Sequence, residues 1–145
     1  MTRAASNGHA DFCKYLLSHN LADVNELDDT GSSAALEASN EATARVIMQH
    51  GGNVLHVSPT GFTMVMSAAV MGSVPLLIEL IETYFVDPTM RTADGEDATH
   101  YAAGNDRLEA LQWLLDNTEL EATTPDKEGV TAIHLLARHG HLDLQ

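Results

Sequence analysis

Eight histidines, one cysteine and twenty-one Asp and Glu side chains are the groups in this 145-residue chain able to hold a metal, move protons or attack an electrophile. His139 and His141 form a His-x-His pair. Two helical steps separate such residues by about 200°, so one helix face does not hold both, and no third ligand stands at a recognised spacing. Cys13 follows Phe12 in an apolar-periodic segment with no His or Asn placed to activate it, and reads as a small core or groove thiol. The chain contains no Gly-x-x-x-x-Gly-Lys phosphate loop, no Gly-x-Ser-x-Gly elbow and no Gly-x-Gly-x-x-Gly fingerprint. Its carboxylates are scattered over turns and helix ends, as on a solvated face. The expectation is a non-enzyme with no catalytic residue, no metal site and no cofactor.

Composition narrows the class further. An apolar content of 44% is enough to bury a continuous core in a chain of this length. A formal net charge of -14 repels phosphate backbones and anionic lipid surfaces, so nucleic acid is not the expected partner. A single cysteine excludes an internal disulfide framework and favours a reducing compartment, which makes the cytoplasm the expected location, with the nucleus or delivery into a host as alternatives. No charged residue occurs between Val46 and Ile78, yet Gly51-Gly52-Asn53, Ser58-Pro59-Thr60-Gly61, Gly72 and Pro75 interrupt that run. No membrane insertion is expected from it, and the first residues lack the apolar stretch of a signal peptide.

The elements that carry these groups follow from a repeat. Gly31, Gly61, Gly95 and Gly129 stand in matching contexts at separations of 30, 34 and 34 residues. After each glycine come a short helical segment with small residues and a second segment with apolar residues at helical spacing. Phe12, Leu16 and Leu17 form one such face, Leu76, Leu77, Leu80 and Ile81 another, and Leu108, Leu111, Leu114 and Leu115 a third. The pairs Ala4-Ala5, Ala68-Ala69 and Ala102-Ala103 allow close helix approach, and Pro75 occupies a tolerated first-turn position. One copy alone cannot bury its apolar faces, but a stack can.

The best copy reads Gly129-Val-Thr131-Ala-Ile133-His134-Leu-Leu-Ala137-Arg-His-Gly140-His141-Leu-Asp143 and resembles the ankyrin repeat, whose helices open with Thr-Pro-Leu-His-x-Ala-Ala and Gly-His-x-Glu. Gly95 to Ala103 and Gly61 to Ala69 repeat the pattern, and Ala4-Ala5-Ser-Asn-Gly8-His9 enters it part-way. The resemblance covers essentially the whole chain. It implies an all-α solenoid of stacked helix-turn-helix units with β-turn or hairpin loops: one array over 1–145 with copies 1–25 (partial), 26–55 (shortened), 56–89, 90–123 and 124–145 (partial). In the second copy Gly51 arrives about three residues early, so roughly one helical turn is missing. The resemblance gives His100 and His134 a structural role, bonded to the Asp97 carboxylate or Thr131 hydroxyl and to turn backbone.

Arrays of this kind bind through a concave face of turn tips and first helices, and function is read from side chains the stack does not need. In the second copy these are Asp29, Thr30, Ser32, Asn40 and Glu41, and in the third Pro59, Thr60, Phe62, Val70 and Met71. The fourth contributes Arg91, Ala93, Asp94, Glu96 and Asn105, and the fifth Lys127, Glu128, Val130, Arg138 and His139. An apolar middle between charged neighbours predicts Phe62, Val70 and Met71 as anchors of a protein or peptide interface, with Asp29, Asp94 and Glu96 around it. The partner expected is another protein or peptide carrying an apolar anchor and basic residues. The competing reading lays Phe62 across its own turn and packs Val70 and Met71 under the shortened copy.

Two other readings stand beside a protein-binding scaffold. One is a regulatory segment of a larger enzyme or channel. The other takes Leu17, five residues and Asp23-Val24-Asn25 as resembling the target pattern of the asparaginyl hydroxylase of animal oxygen sensing; the bland role for Asn25 is a bond to its own turn backbone. Neither end carries a polar cap, so self-association through the ends, or membership of a longer array, is also expected.

Overall fold

The computed structural model describes residues 1–140; His141 and Asp143, expected on the second-helix opening of the last copy, lie outside the described residues. Within that range the helices are α1 (Thr2–Ser6), α2 (Ala10–Ser18), α3 (Ala34–Glu37), α4 (Glu41–Gln49), α5 (Met64–Met71), α6 (Val74–Ile78), α7 (Ala98–Gly104), α8 (Leu108–Asn117) and α9 (Ala132–Arg138). A π-helical turn, Glu79–Thr83, continues α6. The described residues form no β-strand, only an isolated antiparallel bridge between Leu27 and Ser33.

Local chemistry sets the register. Ser33, Thr63, Asp97 and Thr131 each stand two residues after a repeat glycine in extended backbone, and each side-chain oxygen accepts from a first-turn amide, of Leu36, Met66, Thr99 and His134 respectively. These caps fix where α3, α5, α7 and α9 begin. The tips before them share one hydrogen-bond pattern: Asp28 N–H donates to the Ser32 carbonyl and Gly31 N–H to the Asp28 carbonyl, repeated by Ser58, Thr92 and Asp126 with their partners. Gly61 shows why glycine is used at a tip. Its φ is +89°, and a Cβ there would lie 3.0 Å from the Thr92 Cα and 3.1 Å from the Arg91 carbonyl of the next copy.

Stacking then follows from small residues on first helices and larger ones on second helices. Helix α1 packs on α3, α5 on α7 and α7 on α9, while α2 packs on α4 and α6 on α8. Ala5, Ala68, Ala69, Ala102 and Ala103 are fully buried where the first helices meet. Ile47, Leu76, Leu77, Leu80 and Leu114 are fully buried beneath them, in one apolar cluster that runs the length of the array. Each such side chain contributes about 1.5–3 kcal/mol when removed from water.

The missing turn of the second copy lies at the C-terminal end of its first helix. Helix α3 has four residues, against eight in α5 and seven in α7 and α9. Ala38 leaves the helix at φ -56°, ψ 127°. Asn40 and Glu41 are therefore not on the first-helix face, where a regular period puts them. Asn40 caps α4 by accepting from the Thr43 amide at 2.8 Å, and Glu41 is the first residue of α4.

Candidate functional site

The short α3 leaves a notch on the face built by tips and first helices. Ser6 of α1 stands on one side and Ser67 and Val70 of α5 on the other, with Leu36 and Glu37 of α3 between them and Phe62 toward the tips. The resulting groove has a volume of about 440 Å³. Apolar area dominates its lining, and hydroxyls from Ser6, Thr30, Ser32, Ser58, Thr60 and Ser67 interrupt it. A second recess, more polar, shares Ser6, Thr30 and Glu37 with the groove and adds Arg3, Asp28 and Asp29. The Asp28 carboxylate accepts from the Thr30 hydroxyl and from the amides of Thr30 and Ser32. Those bonds, the hydroxyl's first, hold its pKa below the usual carboxylate range.

Of the apolar anchors read from the sequence, Phe62 and Val70 meet in this groove, whereas Met71 is half-buried against the core and outside the lining. Phe62 is half-buried too. Its ring meets the edge of Tyr101 at 5.2 Å between centroids and 84° between planes, so it leans on the next copy. The Val70 carbonyl accepts from Arg107 Nε at 2.9 Å, which ties its backbone to the next copy. Pro59 is exposed at the tip between the groove residues Ser58 and Thr60.

The charged candidates are strung along the stack. Asp29 borders the groove through the shared recess. Asp94 is exposed, and its carbonyl accepts from Lys127 N–H at 2.9 Å. Glu96 accepts weakly from the Tyr101 hydroxyl at 3.4 Å. Asn105 donates to the Tyr101 carbonyl at 2.7 Å, and His139 Nε2 bonds the Gly104 carbonyl at 3.0 Å, while Arg138 is exposed in the last turn of α9. Asn105 thus closes the end of its own helix, whereas His139 ties the last copy to the one before it. Sequence reasoning missed Tyr101, whose hydroxyl is pushed up to about 12 by burial and the nearby Glu96 carboxylate. Its position equals that of Ser67 one copy earlier, a signal the repeat register carries.

Asn25 does more than close its own turn. Its backbone N–H donates to the Asp23 carboxylate, but its side chain reaches the following copy, donating to the Gly51 carbonyl at 3.2 Å and accepting from Asn53 N–H at 2.8 Å. The bond expected from the side chain to its own turn is replaced by this bridge, because the next loop presents both a donor and an acceptor within reach.

His100 and His134 have structural partners. Nδ1 of His134 accepts from the Thr131 amide and contacts its hydroxyl, both at 3.0 Å. Nδ1 of His100 lies 3.1 Å from both the amide and Oδ1 of Asp97, and its Nε2 bonds the Val130 carbonyl of the next copy at 3.0 Å. Cys13 is buried, and burial pushes its thiol pKa up, against the activation a nucleophile needs. Among the described residues no three His, Cys, Asp or Glu side chains gather as a metal site, and no helix is long and apolar enough to cross a membrane.

Repeated caps, tips and helix pairs agree with comparison to known proteins: a family model described as ankyrin repeats, in three copies, matches residues 1–91 and 65–144. The chain belongs to the ankyrin-repeat family. Ankyrin repeats are generally protein–protein interaction modules and typically non-catalytic. Among similar proteins, BCL-6 corepressor-like protein 1 of Homo sapiens is 31% identical over 108 residues, covering 72% of this chain and 6% of that protein. Its Mus musculus counterpart is 32% identical over 108 residues, with the same coverage. The chain spans about 6% of the length of these curated relatives.

Proposed function

We propose that this ankyrin array is a non-catalytic docking module that holds another protein or peptide on its face of tips and first helices, in the notch beside α3. The observation that carries this reading is the meeting of Phe62 and Val70 in a groove at the one copy whose first helix lacks a turn. An apolar side chain of the partner fills that groove, because apolar anchors in desolvated pockets supply most interface energy. Basic residues of the partner meet Asp29 and Glu37, which speeds association and makes it fall with rising salt. The relatives are named as corepressor-like proteins, which supports a role as one docking segment within a larger assembly.

The test is capture from source-cell lysate followed by titration of each purified captured protein against the native chain, Val70→Gln and Glu109→Gln. Val70→Gln keeps helix propensity while placing an amide in the groove; Glu109 lies exposed on α8, outside the groove lining. Binding weakened at least tenfold by the first variant and unchanged by the second supports the reading. Equal affinity of all three chains contradicts it.

A further inference from the structure

We propose that the junction between the second and third copies is a hinge, and that the array opens there into two separately cooperative units, one ending near residue 57 and one beginning near residue 58. Four observations coincide at this junction. Helix α3, only four residues long, approaches α5 over much less backbone than α1 and α3 or α5 and α7 share. Helices α4 and α6 likewise meet less than α2 and α4.

The third observation concerns the tips. Downstream, neighbouring tips are joined by backbone bonds, Ala93 N–H to the Thr60 carbonyl at 2.8 Å and Lys127 N–H to the Asp94 carbonyl at 2.9 Å. The residue in the register of Ala93 and Lys127 at the upstream junction is Pro59, which has no N–H to give to Thr30. The fourth is the nature of the links that remain. Ser73 donates to the Glu41 carboxylate, Arg45 pairs with Glu41 at 3.0 Å and with Glu79 across the junction, and Ser67 donates to the Ala38 carbonyl at 3.4 Å. Arg45, Glu41 and Glu79 keep about a third of their side-chain surface in water, at 34%, 39% and 32%. Partly solvated ion pairs contribute little and weaken with salt.

In a linear stack, stability is a sum of unit and neighbour terms, and cooperativity breaks at the weakest neighbour term. The apolar cluster continues across the junction, so the hinge is a weak interface within an intact core. Groove walls come from both sides, Ser6 and Glu37 from one unit and Phe62 and Val70 from the other, so groove width follows hinge opening.

The experiment is amide hydrogen exchange, read by peptide mass spectrometry on the full chain in increasing low denaturant, for the native chain, Arg45→Gln and Arg107→Gln. Two groups of peptides are expected, with exchange in 1–57 rising at lower denaturant than in 64–117. Arg45→Gln should speed exchange of 1–57 by on the order of threefold and leave 64–117 unchanged, and 1 M NaCl should act in the same direction. Arg107, which bonds the Val70 carbonyl at the next junction, serves as the control that does not separate the two groups. A single common exchange transition, or an Arg45→Gln effect spread equally over both groups, overturns the hinge.

Discussion

The ring of Pro59 lies against Gly31 so closely that a Cβ on Gly31 would come within 2.7 Å of the proline Cγ. Gly31 also has a φ of +79°. Gly51 shares the left-handed backbone, at +86°, but nothing lies within 4 Å of a Cβ built there. Gly51→Ala should therefore cost the backbone term of about 1–2 kcal/mol, and Gly31→Ala measurably more. Urea denaturation of both variants checks this; equal losses would show that the proline contact is easily relaxed.

The second prediction concerns a hydroxyl without a partner. Thr43 Oγ1 in α4 is buried and makes no hydrogen bond. Its register equals that of Leu76 and Ala110, apolar positions fully buried in later copies. Thr43→Val keeps the shape and removes the desolvated hydroxyl, so stability should be unchanged or rise by up to about 1 kcal/mol. A loss in thermal denaturation would mean that the hydroxyl has an unseen partner.

Register of this kind was legible in the sequence because its determinants are local. Glycine contexts and the Ser, Thr or Asp two residues later suffice to place α3, α5, α7 and α9. The missing turn could be counted, but its position depends on where Ala38 leaves α3, which depends in turn on contacts with α1, including the Ser39 amide to the Ala5 carbonyl at 3.2 Å. The same distinction applies to the groove. Phe62 and Val70 were recognisable as apolar residues not required by the repeat, whereas the separation of Met71 from them, the ring contact with Tyr101 and the bridge from Asn25 are tertiary facts. The π-helical turn at Glu79–Thr83 had no sequence signal, since Leu76 to Ile81 reads as an ordinary apolar helix face.

A third prediction follows from Phe85. This residue occupies the turn after the π-helical segment at φ +56°, 81% exposed, while Val86 N–H closes on the Leu80 carbonyl beyond it. Left-handed backbone is unfavourable for a side chain of this size, and little apolar burial offsets it. Phe85→Gly should stabilise the array by roughly 0.5 kcal/mol after the entropy cost of glycine. A marked loss of stability in thermal melts would mean that the ring packs in solution.

The Asp97–His100 pair predicts the pH dependence. Burial alone would raise the Asp97 pKa, but bonds from His100 and the Thr99 hydroxyl outweigh it and hold the carboxyl below its ordinary range. Burial also presses on His100 in the downward direction, and the Asp97 carboxylate with the Val130 carbonyl outweighs it, so its pKa is raised. The neutral ring accepts from the Asp97 amide; the protonated ring donates to the Asp97 carboxylate. Stability from Asp97 is complete above its unfolded pKa and is lost as pH falls through the folded one. Stability from His100 is complete below its unfolded pKa and is lost as pH rises through the folded one. The pair therefore contributes most between about pH 4 and 6.5. Asp97→Thr, which copies Thr131, should flatten the fall in stability between pH 6 and 8 relative to the native chain, measured by urea denaturation; parallel curves would contradict the coupling.

The docking role is tested most directly by an exchange footprint of the array, alone and saturated with a purified captured partner. The predicted result is slowed amide exchange gathered on 28–39 and 58–71, the tips and helices that enclose the groove, with the peptides of α8 unchanged. Slowed exchange on α2 and α8 with the groove segments unaltered would contradict it and move the binding face to the second helices.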